Sequence, residues 1–198
     1  MKAKLIIAST LAASIYSPIS SANDNWYLGA LYNVQEISLH KRDFTVAGLI
    51  AGYKYNDFFA LETRLAKGKS GYTSIYDNPN SPYGSYNEDI DSQLSILIKA
   101  SYPVFDSVKV YALAGYSKTK LDITGLSQIN DANGNITGDY PFKHSEITDG
   151  FSYGLGFNYQ ITEQFNVFMD YQVLPDFEPA RYYSNSWQST TIGVNYAF

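Results

Sequence analysis

The sequence predicts an all-β fold: an eight-stranded antiparallel up-and-down transmembrane β-barrel. Three observations lead there. In residues 190–198, Thr190, Ile192, Val194, Tyr196 and Phe198 alternate with Thr191, Gly193, Asn195 and Ala197. Strand side chains point to opposite faces in turn, so one face is apolar and aromatic-ended while the other is small and polar. A wall between lipid and a polar interior needs that division. Second, no apolar run after residue 22 reaches the roughly 20 residues of a membrane helix, so a membrane-spanning chain of this kind must close into a barrel. Third, the chain carries 19 Tyr and 11 Phe, enough for aromatic girdles at both interfaces.

Residues 1–22 read as a signal peptide and 23–198 as the barrel domain. Lys2 and Lys4 give a positive start, residues 5–16 an apolar run too short to span, and Pro18 a break. Ser20, Ser21 and Ala22 then supply small residues for cleavage. Taking 22 from 198 leaves 176 residues. At about 9–11 residues per spanning strand plus connections, this length suits eight strands and falls well short of a large porin. There is no cysteine, hence no disulfide staple and no lipidated N-terminus. Loss of Lys2 and Lys4 takes the formal charge from −5 to −7, which argues against nucleic acid as a partner. The expected location is the cell outer membrane, reached after periplasmic transit.

The strands follow from alternation. Residues 26–34 set Trp26, Leu28, Ala30, Tyr32 and Val34 on one face. In 43–55, Ala47, Leu49, Ala51, Tyr53 and Tyr55 face out, with Gly48, Gly52 and Lys54 inward. The third strand, 59–70, sets Phe59, Leu61, Thr63 and Leu65 against Ala60, Glu62, Arg64 and Ala66. A lone Arg on the lipid side at mid-membrane costs about 2–4 kcal/mol, so the row holding Glu62 and Arg64 must be the interior. Strand 91–102 turns Leu94, Ile96 and Ile98 outward and Leu97 and Lys99 inward; 108–122 turns Val110, Ala112, Ala114 and Tyr116 outward. Residues 146–160 oppose Phe151, Tyr153, Leu155, Phe157 and Tyr159 to Ser152, Gly154, Gly156 and Asn158. In 165–174, Phe168 and Asp170 face inward, and a last strand follows residue 185. The connections, at 37–42, 56–58, 71–87, 103–107, 123–145, 161–164 and 175–185, alternate in length. Short periplasmic turns and longer external loops alternate this way, with both termini in the periplasm.

Four stretches carry a resemblance. Gly52-Tyr53-Lys54-Tyr55-Asn56 with Ala60-Leu61-Glu62 resembles the second hairpin of OmpA-like barrels. Lys99-Ala100-Ser101-Tyr102-Pro103 with Tyr111 to Gly115 is similar to their next hairpin. Gly156-Phe157-Asn158-Tyr159-Gln160-Ile161-Thr162 and the closing Gly193-Val194-Asn195-Tyr196-Ala197-Phe198 complete it, in the family's order. The resemblance implies insertion by the barrel-assembly machinery, with Val194, Tyr196 and Phe198 as the signal. It also implies an inward ion-pair network of Glu, Lys and Arg. Glu62 and Lys99 match, the expected Arg position holds Phe168, and Arg64 is the substitute from another strand. With no peptidoglycan-binding domain following, the chain is nearer the stand-alone, OmpX-like barrels.

Function is less legible. Lys54, Glu62, Arg64, Lys99 and Asp170 form the expected interior charge network, either an ion path or a static plug. An eight-stranded interior is just filled by side chains, and inward Leu31, Val46, Ile50, Leu97, Leu113 and Phe168 thicken the plug. Catalysis needs converging nucleophile and base. The two histidines are His40 and His144, and consecutive His144 and Ser145 point to opposite faces of a strand, so no enzyme is expected. Asp131, Asn133 and Asn135 alternate oxygens as a calcium loop does, but Gly134 comes one place early and Phe142 stands where a bidentate Glu belongs, so a hairpin tip is expected. Glu88, Asp89 and Asp91 read as a solvated strand end or as ligands for cations that bridge lipopolysaccharide phosphates. Neither cofactor nor metal is called for. Tyr72, Tyr76, Tyr83 and Tyr86, with Tyr182, Tyr183 and Trp187, sit among Ser, Gly and Asn, a composition suited to recognition. The expected function is a non-enzymatic, structural or adhesive barrel that contacts an external ligand through its loops. The alternative is a narrow or gated channel. Expected partners are outer-membrane lipid and lipopolysaccharide, and the barrel is expected to be a monomer.

Overall fold

The computed structural model describes residues 25–38, 42–76, 83–131, 136–177 and 185–198. The expected signal peptide lies outside them. Among the described residues nine strands run in chain order: β1 Trp26–Ile37, β2 Arg42–Lys54, β3 Phe59–Ser70, β4 Tyr72–Tyr76, β5 Gly84–Phe105, β6 Val108–Asn130, β7 Ile136–Gln160, β8 Phe165–Phe177 and β9 Asn185–Ala197. All pairings are antiparallel between neighbours, β3 pairs β5, and β1 pairs β9, which closes an eight-stranded ring. β4 continues the line of β3 after Gly71 and, among the described residues, pairs only with β5. A Cβ on Gly71 would run into the Glu88 carbonyl oxygen, so the close approach of these strands needs glycine.

Alternation decides what meets lipid. Leu28, Leu49, Leu61, Leu65, Ile98, Leu155 and Ile192 are more than half exposed, whereas Leu31, Ile50, Leu97, Leu113 and Phe168 are buried. Exposing that many large apolar side chains to water would be untenable. On a hydrocarbon-facing wall it is required. Near the termini Trp26 packs on Tyr53 and Phe165 on Tyr196, each with ring centroids 5.0 Å apart, as one girdle. Phe151, Tyr153 and Tyr116 are exposed at the other rim. The seam closes where the Phe198 amide donates to the Trp26 carbonyl at 3.0 Å.

The turns near the termini are short and self-capped. The Phe58 and Phe59 amides donate to Asn56 Oδ1 at 2.9 and 2.8 Å, and the Phe165 amide donates to Thr162 Oγ1 at 2.9 Å. Elsewhere the expected connections are corrected. β5 passes through Pro103 with an irregular register to Phe105, so that turn is shorter than 103–107. The described residues of 71–87 and 123–145, stretches expected as loops, are largely strand, because β5, β6 and β7 run 22, 23 and 25 residues. A spanning strand needs only about 9–11. The excess, with β4, forms a sheet that projects beyond the wall on the side away from the termini. The expected tip, Asp131 to Asn135, lies mostly outside the described residues, though Asn130 pairs with Ile136 across it.

Candidate functional site

The lumen is filled in layers. At the end nearest the termini is a pocket of about 140 Å3, bordered by Lys54, Lys99, Lys109, Asn158 and Asn166 among others. Above it sits the charge cluster. Glu62 and Arg64 are two apart on β3 and share its inward face, which brings Arg64 Nε 2.7 Å from Glu62 Oε1. Asp170 enters from β8 and takes the other edge of the guanidinium in a fork, with bonds of 3.0 and 2.7 Å. Lys99, from β5, lies 3.6 Å from Glu62 Oε2. Two carboxylates thus face two cations. Tyr27 donates to Glu62 at 2.6 Å and Tyr111 to Asp170 at 2.9 Å. The Lys99 ammonium also sits 3.9 Å from the centroid of the Tyr111 ring, a favourable desolvated cation–π contact. Phe168 packs against the cluster, 5.6 Å from Arg64 Cζ and 5.7 Å from Lys99 Nζ.

The structure therefore gathers Glu62, Arg64, Lys99 and Asp170 into one cluster and leaves Lys54 at the mouth pocket. Sequence reasoning missed the hydroxyls of Tyr27 and Tyr111. Their inward parity was the available signal, since an aromatic on the polar row cannot belong to a girdle. Phe168 does not vacate the cation position; it supplies a ring beside the arginine that arrives from β3.

Next comes a polar belt. Gln35 donates to Gln93 at 2.8 Å and Gln93 to Thr119 at 2.8 Å, while Ser95, Ser117 and Ser152 link at 2.8 and 2.7 Å. An apolar cap closes the lumen above it: Ile37, Phe44, Val46, Ile90, Leu121, Leu174, Phe177 and Trp187, all buried. Trp187 sits between Phe44, tilted against it at 6.3 Å, and Phe177, edge-to-face at 6.2 Å. Trp187 is thus corrected from a loop aromatic to the centre of the cap, because it falls on the inward row of β9.

The projecting sheet carries the second set of candidates. Arg42 donates to Glu88 at 2.7 Å and Tyr86 to the same oxygen at 2.5 Å. Burial lifts the Glu88 carboxyl above the ordinary range, against the pull of Arg42, and lifts the Tyr86 phenol, with the Glu88 bond adding to it. Tyr72 and Tyr86 flank the Arg42 guanidinium at 5.3 and 5.8 Å. These two tyrosines are committed to an internal clamp, whereas Tyr76 is exposed and Tyr83 half-buried. Tyr182 and Tyr183 lie outside the described residues. Glu88, Asp89 and Asp91 do not converge: Glu88 is buried against Arg42, Asp89 is exposed, and Asp91 pairs with Lys120 at 3.0 Å. No cluster of metal-ligating side chains exists among the described residues.

Register continues the inward row of β6 into the sheet and sets Tyr86 across from Gly125, Gly125 across from Phe142, and Tyr140 across from Ser127. Tyr86, Phe142 and Tyr140 so form an aromatic strip on the face that continues the lumen. β7 gains its partner β8 only from Tyr153 onward. Among the described residues, Ile136 to Ser152 pair with β6 alone. His144 lies 3.5 Å from Glu146, and Ser145 donates to Asp122 at 2.7 Å on the opposite face. His40 lies outside the described residues.

Residues 5–198 match the family model described as outer membrane protein beta-barrel domain. The chain belongs to that family. Among solved structures the barrel is similar to Ail, the attachment invasion locus protein of Yersinia pestis, with a TM-score of 0.54 at 12% identity, covering 88% of this chain and 99% of that one. It is also similar to Neisserial surface protein A, with a TM-score of 0.50 at 16% identity over 90% and 99% of the two chains. At such identities the likeness is one of fold. Comparison with curated proteins finds no match. The barrel is a protein of the outer membrane.

Proposed function

We propose that this barrel is a non-enzymatic surface-recognition protein, anchored by its lipid-facing wall and contacting an external partner through the projecting sheet. The observation that carries the reading is the outer edge of β7, unpaired among the described residues, beside the exposed rings of Phe142 and Tyr140. An exposed row of backbone donors and acceptors is a template for an extended segment of another chain. Adjacent aromatic rings give contact area at low entropic cost. The filled lumen favours this reading over a pore, because contact rather than passage is what the free surface offers. A fold relative that is an attachment invasion locus protein is consistent with an adhesive role.

The test is retention of vesicles bearing the purified barrel on immobilised extracellular-matrix proteins. A variant in which residues 126–140 are replaced by an Asn-Gly turn keeps the wall and shortens the sheet. The reading expects the variant to lose retention while keeping heat-modifiable gel mobility. Equal retention by both proteins overturns it.

A further inference from the structure

The outward face just beyond the apolar band differs around the ring. Cross-strand register places Leu49, Leu65, Leu94, Lys118 and Asp149 in one lateral row. In the row above, Ala47 pairs with Lys67, and Ser92 pairs with Lys120. Carried one residue past the Ala66–Gln93 pair, the β3–β5 register sets Lys67 beside Ser92. Neighbouring strands lie about 4.8 Å apart, so the backbones of Lys67 and Lys120 flank the small Ser92 at a distance of about 10 Å. Two lysine side chains leaning inward span that gap around one phosphate. The three leucines, Ser92 and the three lysines border a shallow groove of about 720 Å3. Its floor is apolar and its outer lip cationic.

Through Ala47 the same register continues the row to Tyr32 on β1, Ile192 on β9 and Met169 on β8, none of them basic. A chain with 14 basic against 19 acidic residues does not place three lysines on one groove as compositional background. Lys120 is steadied by Asp91 at 3.0 Å and Asp122 at 3.6 Å. Among the described residues Lys67 and Lys118 form no ion pair.

We propose that the groove binds one molecule of lipopolysaccharide, with an acyl chain of its lipid A along Leu49, Leu65 and Leu94. A sugar-borne phosphate then sits among Lys67, Lys118 and Lys120. The ligand must be an amphiphile, because a soluble anion makes no use of the leucine floor. It must be anionic at the headgroup level, because lysines that end an apolar row reach outward to the interface.

The experiment is native mass spectrometry of the full barrel in neutral detergent, titrated with lipid A, dephosphorylated lipid A or phosphatidylglycerol. Lipid A binds the wild-type barrel, and the Lys67→Gln, Lys118→Gln, Lys120→Gln triple variant binds it about tenfold more weakly or worse. The matching Lys→Arg triple variant retains binding, and Lys109→Gln, at the periplasmic mouth, is unchanged. Heat-modifiable mobility verifies that each variant folds. Binding by the glutamine triple variant within about twofold of wild type overturns the proposal. So does equal binding of dephosphorylated lipid A or of phosphatidylglycerol by the wild-type barrel.

Discussion

Arg64 holds both lumen carboxylates: Glu62 through Nε, and Asp170 through a two-bond fork. Removing one partner of a buried ionic cluster leaves uncompensated charge and costs about 3–5 kcal/mol. Arg64→Ala should therefore lower stability by that amount in urea unfolding from vesicles followed by Trp fluorescence. A loss under about 1 kcal/mol would mean that water already screens the cluster. Gly52 tests the same site sterically. A Cβ there would enter the Tyr27 ring, whose hydroxyl holds Glu62 at 2.6 Å. Gly52→Ala should cost about 1–3 kcal/mol through overpacking, and the Tyr27 ring should shift in the variant's structure. On the wet outer surface, the Ser145 hydroxyl donates to Asp122 and, with help from Lys143 and Lys120, holds its carboxyl below the ordinary range. A depressed acid contributes stability above its unfolded pKa and loses it as pH falls through the folded one. The side chain is exposed, so this contribution is small. Ser145→Ala should move the Asp122 titration upward in an NMR shift titration, and an unmoved titration would assign the depression to the lysines.

Individual strands differ in how openly the sequence declared them. Where one face meets lipid and the other the lumen, alternation is enforced by the cost of each mismatch, and Phe151 to Asn158 could be assigned residue by residue. Leu155→Arg, on that lipid face, should cost about 2–4 kcal/mol, measured by equilibrium folding into vesicles; a neutral result would place Leu155 away from hydrocarbon. In the extensions both faces meet water, so nothing enforces a period of two. Tyr72 to Tyr76 and residues 123–145 read as loops for that reason, although β4 pairs along β5 and the described residues of the longer stretch pair between β6 and β7. The cluster divides similarly. Glu62 and Arg64 share a face by spacing on one strand, which the sequence displays. The meeting of Arg64 with Asp170, 106 residues away, depends on the tilt and stagger of the whole ring, and no local pattern encodes it. Trp187 reads as a loop aromatic because it stands near a loop in sequence, whereas its parity within β9 points it inward.

Taken as a whole, the barrel is closed at two separate heights by different physics. Below, a neutral ion-pair cluster with Tyr27, Tyr111 and Phe168 fills the lumen. Above, Phe44, Phe177 and Trp187 head an apolar cap. A charge cluster can rearrange by exchanging partners, but an apolar cap opens only by losing volume, and water avoids it even when a gap forms. The wild-type barrel should therefore show no conductance steps in planar bilayers at 1 M KCl. Arg64→Ala alone should stay silent as well, since the cap is untouched. Trp187→Ala alone should stay silent because the lower cluster remains. Only the double variant should give steps, provided its heat-modifiable mobility shows a folded barrel. Steps from Arg64→Ala alone would mean that the cap is not a seal, and would move the functional weight back from the projecting sheet to the lumen.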